Sequence, residues 1–190
     1  KCPAGEFQDV EGQTECKACT AGYYCAEGAA AALPCPGGTH KDASITMTSS
    51  DDCVDCPVGT FCPVGSDEST PCAPGTFSNT ASAESCGKCP AGEFQDEEGQ
   101  TECKACTAGY YCAEGAAAAL PCPAGTHKNT NASITMTSAD DCVVCPVGTF
   151  CSVGAAEETN CAPGTFNPDT EQSTCDKCVA GEYQDEEGKT

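Results

Sequence analysis

One six-residue pattern, Cys-x-x-Gly-x-(Phe/Tyr/His), occurs eleven times in this chain. It opens at Cys2, Cys19, Cys35, Cys56, Cys72, Cys89, Cys106, Cys122, Cys145, Cys161 and Cys178. Successive openings lie 16 to 23 residues apart, and every Phe and Tyr falls inside a pattern, with His40 and His127 in the aromatic slot of two. Five patterns make a longer repeat. Residues 1–41 and 88–128 align without a gap and differ at two positions, Val10/Glu97 and Gly37/Ala124. The chain therefore reads as a first long repeat at 1–87, a second at 88–176 that is two residues longer near 129–131, and the start of a third at 177–190. A fixed internal period marks a repeat architecture. A stop partway into a unit suggests a window on a longer array.

Cysteine supplies 21 of the 190 residues, whereas Leu, Ile, Val and Phe together supply 19. So little apolar material cannot enclose a large core. Dense cysteine instead marks a scaffold in which covalent loops replace hydrophobic burial, and an enzyme fold with a large apolar interior is not expected. Besides the eleven openers there are ten cysteines, one between each pair of openers. This alternation suggests that each opener bonds the closer that follows: Cys2–Cys16, Cys19–Cys25, Cys35–Cys53, Cys56–Cys62, Cys72–Cys86, Cys89–Cys103, Cys106–Cys112, Cys122–Cys142, Cys145–Cys151 and Cys161–Cys175. The rival pairing crosses neighbours, for example Cys19–Cys35. Cys178 is left unpaired in this window, and the repeat places its partner two residues beyond Thr190.

Closing a loop of about 15 residues removes unfolded-state entropy worth about 3 kcal/mol in the chain-entropy account. Ordering the backbone costs roughly 1–2 kcal/mol per residue, so the bridges alone do not hold the fold. Each aromatic is expected to stack on its own disulfide and on the next module. Gly permits a sharp turn at positive φ, and a preceding Pro pre-sets one. The expected fold class is small and disulfide-rich, mostly irregular with short antiparallel β-ribbons. Residues 29–33 and their copy 116–120 are expected to be loop, because one turn of helix-forming residues is too short to hold. Modules that touch only their neighbours would draw the chain out into an elongated rod.

Charge narrows the partners. There are 29 acidic residues against 8 Lys and no Arg, a net charge of −21. Nucleic acid and anionic membrane surfaces both require clustered cations. No apolar run approaches the ~20 residues of a membrane span, and no signal peptide opens the sequence. Cysteine at this density points to an oxidising, extracellular setting, secreted or on the cell surface.

Four features could carry chemistry. Cys16-x-x-Cys19, Cys53-x-x-Cys56 and Cys86-x-x-Cys89 have zinc-like spacing, but each joins the closer of one module to the opener of the next, so disulfides are expected and no metal or other cofactor. His40 and His127 replace an aromatic in a structural slot and are read as packing residues. The acidic tips at Asp9 and Glu11, Asp96-Glu97-Glu98 and Asp185-Glu186-Glu187 are read as solvated turns that could hold Ca2+ loosely, as are Asp51-Asp52 and Asp140-Asp141. Asn131-Ala132-Ser133 is the single N-glycosylation sequon and lies in the loop where the two copies differ in length.

The segment Cys2-Pro3-Ala4-Gly5-Glu6-Phe7, closing at Cys16, resembles the first submodule of a tumour-necrosis-factor-receptor cysteine-rich domain. The alternation of Cys56-Pro57-Val58-Gly59-Thr60-Phe61-Cys62 with Cys72-Ala73-Pro74-Gly75-Thr76-Phe77 resembles the ephrin-receptor-like cysteine-rich repeat, a module of large extracellular proteins in animals and protists. The first likeness stops at Cys19–Cys25, where one short loop stands in place of two crossed bridges. These resemblances imply an elongated, all-β, disulfide-laddered ectodomain with nothing catalytic. Near-identical copies favour a structural rod or filament that associates with like chains and carries glycans. A ligand-binding or adhesion ectodomain is the alternative.

Overall fold

The computed structural model describes residues 1–131 and 133–190. Its regular structure is ten two-stranded antiparallel hairpins, one for each of the first ten modules, and two short 3-10 turns; there is no α-helix among the described residues. In each hairpin the first strand begins just after the pattern glycine and carries the aromatic or His position. The second strand is the pair of residues just before the next opener. In the first module Glu6–Phe7 pairs with Lys17–Ala18, so the interior of Cys16-x-x-Cys19 is the returning strand. This small, disulfide-rich, short-ribbon fold is the class that cysteine density and turn chemistry imply. The loop expected at 29–33 is more ordered than its length suggests. Leu33 pairs with Tyr24 across a hairpin, and Ala29 forms a parallel bridge with Phe7.

Ten disulfides close the modules, each joining an opener to the next cysteine, with Cα–Cα separations of 5.7 to 6.2 Å. Those distances lie within the normal disulfide range. Loops alternate between long closures, such as Cys35–Cys53, and short ones of six residues, such as Cys56–Cys62. Each long repeat begins and ends with a long module, so two long modules follow one another where repeats meet, at Cys72–Cys86 and Cys89–Cys103.

The core is sulfur. Twelve of the fourteen buried hydrophobic residues are cysteines, and the other two are Met47 and Met136. The pattern aromatics are half-buried at best, and Tyr183 is 85% exposed. Every Leu, Ile and Val in the chain is exposed.

Backbone hydrogen bonds link each module to the next. The amide of the residue six places after the opener donates to a carbonyl of the following module in all ten, from Gln8 to Ala29 through Cys62 to Ala83 to Asn167 to Lys189. Coming the other way, a left-handed residue in the later loop donates to the carbonyl of the previous opener. Gly28 reaches Cys2 and Gly65 reaches Cys35 at 2.8 and 2.9 Å. Ser82 and Glu171 perform the same task at φ of 57 and 62, to Cys56 and Cys145. A non-glycine residue there costs roughly 1–2 kcal/mol, which marks how strongly the contact is held.

Contacts also run past the neighbour, which corrects the expectation that modules touch only the next one. A Cβ on Gly59 of the fourth module would lie 2.1 Å from the carbonyl oxygen of Gly99 in the sixth. The same approach recurs from Gly22 to Gly65, Gly38 to Ser82, Gly109 to Gly154, Gly125 to Glu171 and Gly148 to Gly188, at 2.0 to 2.2 Å. Only a residue without a side chain admits a carbonyl this close.

The chain forms two compact units. One comprises Lys1–Lys88 with Glu97–Glu102, the other Cys89–Asp96 with Cys103–Thr190. The first unit thus includes an acidic loop from the second long repeat. That loop lies on the fourth and fifth modules through Gly59, Cys72 and Ser78.

Gly59→Ala should destabilise the oxidised protein by about 2–5 kcal/mol, combining left-handed strain with overpacking against backbone. Gly12→Ala should cost only the strain, about 1–2 kcal/mol, because nothing lies within 4 Å of its Cβ position. Thermal unfolding without reductant compares the two; equal losses would show that the close approach does not matter.

Candidate functional site

The zinc-like Cys-x-x-Cys pairs are divided between bridges. Cys16 is bonded to Cys2 and Cys19 to Cys25. The other pairs are likewise split between successive disulfides, and Cys178 is a half-buried free thiol. Among the described residues, no group of three or more His, Cys, Asp or Glu side chains is placed to hold a metal ion.

Both histidines sit in the first strand of a hairpin, as the aromatics do. His127 is buried, lies opposite Val143 and forms a parallel bridge with Ala155. Its Nδ1 donates to the Lys128 carbonyl at 2.8 Å, and its Nε2 lies 3.4 Å from Glu158. His40 makes the same bond to the Lys41 carbonyl at 2.9 Å and lies opposite Val54. The position equivalent to Glu158 in the first copy is Ser69. An open cavity of about 560 Å³ lies here, lined by His127, Thr130, Val143, Val144, Glu157 and Glu158 among others.

Two of the acidic tips are tied to lysines on the returning strand, and in the third Glu186 pairs with Lys189 of the same loop. Lys17 donates to Asp9 and Lys104 to Asp96, across turns that the Glu-Gly sequence closes. These hydrogen bonds hold both aspartate carboxyls below the usual range. The groups are half exposed, where an ion pair contributes little to stability.

Asp52 and Asp141 are turn-forming residues. Asp52 Oδ2 accepts from the Thr48 amide at 2.7 Å, the Thr48 hydroxyl at 2.9 Å and the Ser49 amide at 3.0 Å. Asp141 repeats this with Thr137 and Ser138. The donors favour the charged form and push both carboxyls down. These loops present Met47 and Met136, whose carbonyls accept from Cys25 and Cys112.

Asn131 is exposed, and its side-chain oxygen accepts from the Ser133 amide at 3.0 Å. Asp42 closes the same turn onto Ser44 in the first copy. The two-residue insertion therefore exchanges Asp for Asn and keeps the turn. The middle residue of the sequon, Ala132, lies outside the described residues.

One class of structural residue was not anticipated. The position six after the opener holds the closing cysteine in short modules. In long modules the same place takes a polar side chain: Ser78, Gln95 and Asn167 are all buried there. Asn167 donates from Nδ2 to the Thr149 carbonyl at 2.8 Å. The equivalent Gln8, Lys41 and Lys128 are only half-buried, so the position alone does not dictate burial.

The family model for tyrosine-protein kinase ephrin type A/B receptor-like domains matches residues 59–99 and 75–109. These stretches run from the Gly59 turn into the pattern of the seventh module. Over those stretches the chain is similar to ephrin-receptor-like cysteine-rich repeats. No curated protein matches the chain. Dense disulfides and a receptor-like cysteine-rich module together indicate an extracellular setting. No helix among the described residues is long and apolar enough to cross a membrane.

The pH dependence of the Asp52 and Asp141 turns follows from their lowered carboxyl values. Their stabilisation is fully present above the ordinary Asp range and disappears as pH falls through the lower folded-state value. NMR titration should find both carboxyls protonating below the ordinary Asp range. The Thr48 and Thr137 amides should lose protection at that step. Asp52→Asn should remove the transition at Thr48 and leave it at Thr137. A Thr48 transition that survives in Asp52→Asn would assign the effect elsewhere.

Proposed function

We propose that this chain is a segment of a structural extracellular protein, a disulfide-laddered and glycosylated rod or filament at the cell surface or in the matrix. The observation that carries the reading is the near-identity of the long repeats, two differences in 41 aligned residues. A receptor that reads a ligand differentiates one module to carry its binding surface. A spacer or filament gains from copies that are alike, because equal steps give a regular pitch and equivalent contacts. The role is mechanical rather than catalytic: length, stiffness and resistance to proteases.

Acidic turns at the surface supply hydration, mutual repulsion and loose Ca2+ binding. The exposed Asn131 carries an N-glycan, and like chains are the partners. The receptor-like family match favours a second reading, a ligand-binding or adhesion ectodomain in which this array is the stalk.

Electron microscopy of the native material should show regular fibres with an axial step tied to 87–89 residues. Isolated beads, or a head on a membrane-bound stalk, would favour the second reading. Treatment with an N-glycosidase should lower the mass of the secreted protein and convert Asn131 to Asp. An unmodified Asn131 in protein secreted from a eukaryotic cell would remove the glycan from the proposal.

A further inference from the structure

The open cavity beside His127 has walls of two kinds. The His127 strand is central, pairing with Val143–Val144 on one side and bridging Ala155 on the other. Val143, Val144 and Pro146 supply an apolar wall, with the two valines 37% and 46% exposed. Glu157 and Glu158, just beyond Ala155, supply an anionic one. Neither glutamate pairs with a lysine among the described residues. The His127 side chain is 9% exposed. Its Nδ1 is committed to the Lys128 carbonyl, which in the neutral ring leaves Nε2 an acceptor. Nε2 faces Glu158 Oε2 at 3.4 Å, an acceptor too and beyond the usual N–H···O distance. Two acceptors thus meet at the cavity, and an N–H donor placed between them would satisfy both.

We propose that this cavity is a docking site for an arginine side chain carried on a basic segment of another extracellular protein. The methylenes of an arginine cover Val143, Val144 and Pro146, while its planar guanidinium presents several N–H groups to Nε2 and the glutamates together. A basic partner is steered towards a chain of net charge −21. The chain contains no Arg, so the occupant belongs to a different protein. The two long repeats differ at this place. Asp55 and Ser69 of the first copy stand at the positions of Val144 and Glu158, whereas Val54, Pro57 and Glu68 match Val143, Pro146 and Glu157. The exchange clears charge from the hairpin wall and adds it beside the imidazole. The insertion that distinguishes the second copy also brings Thr130 to the cavity. The site goes beyond the filament reading, since a rod and a stalk can equally carry it.

The test is an NMR titration of the oxidised 190-residue chain with an acetylated, amidated Gly-Arg-Gly-Arg-Gly peptide. The same peptide with citrulline for arginine keeps the shape and removes the charge. The His127 Nε2 resonance and the Val143 and Val144 amides should shift and saturate with the arginine peptide. The citrulline peptide should bind about tenfold more weakly, the loss of a hydrogen-bonded charge. Glu158→Ser installs the first copy's own residue, which the fold already accommodates, and should also raise Kd about tenfold. Asp51→Asn, which removes one charge from an exposed turn elsewhere, should leave Kd unchanged. Equal weakening by Asp51→Asn and Glu158→Ser would show a diffuse attraction to an acidic surface and overturn the proposal. Equal binding of the citrulline peptide, shifts that do not saturate, or equal shifts at His40 would overturn it as well. Self-association that moves the same resonances without peptide would give the cavity to a lysine of a second copy instead.

Discussion

The structure depends on a backbone hydrogen bond that reaches backwards. A residue in the left-handed conformation, placed in the loop of one module, donates its amide to the carbonyl of the opener cysteine in the module before. The bond is made by Gly28, Gly65, Ser82, Gly99, Gly115, Gly154, Glu171 and Gly188. It satisfies a carbonyl beside a buried disulfide, where an unpaired acceptor would cost about 1–3 kcal/mol. In Gly65, Ser82, Gly99, Gly154, Glu171 and Gly188 the donor's own carbonyl also lies against the turn glycine two modules back. One conformation thereby performs two tasks, and the turn glycine of each pattern is what lets the second be met.

That arrangement explains how so little apolar material suffices. Ordinary domains bury Leu, Ile and Val; here all of them face solvent while cysteines fill the interior. A module of about 17 residues has too much surface for its volume to shelter branched aliphatic side chains. A disulfide is compact, needs no hydrogen-bond partner and limits the unfolded chain as well as filling space. The aromatics are half-buried at best. The dense ladder of amide bonds between modules supplies the continuity that a shared apolar core supplies elsewhere.

The fold class was legible in the cysteine count, the eleven patterns and the Pro and Gly turns, because each acts over a few residues. The five-module period was legible because the copies are nearly identical. Two features were not. The approach of Gly59 to Gly99 joins positions forty residues apart in sequence, and local pattern carries no record of a contact two modules away. The polar residues at Ser78, Gln95 and Asn167 look like surface positions when each is read alone. Aligning them with Cys62 and Cys151, six places after their openers, groups them equally with Gln8, Lys41 and Lys128, which are only half-buried. At the acidic tips, attention to the carboxylates concealed the more important neighbour: in Glu98-Gly99 and Glu187-Gly188 the glycine makes the structural contact.

The length of the repeat has a physical reading of its own. Strict alternation of long and short closures would need an even number of modules, yet the period is five. Two long modules therefore meet in sequence once per repeat, and neither has a closing cysteine six places after its opener. Ser78 and Gln95 fill those places at the meeting of the first and second repeats, and Asn167 fills the corresponding place at the end of the second. A polar side chain cannot reproduce a sulfur bridge, but it can be satisfied by backbone, as Asn167 is by the Thr149 carbonyl. The modules that follow these positions bring the acidic loops that seat on Gly59 and Gly148. The irregular step in the alternation thus coincides with the contact by which one long repeat engages the next, so the boundary of the sequence repeat is also a place where the chain is stitched together.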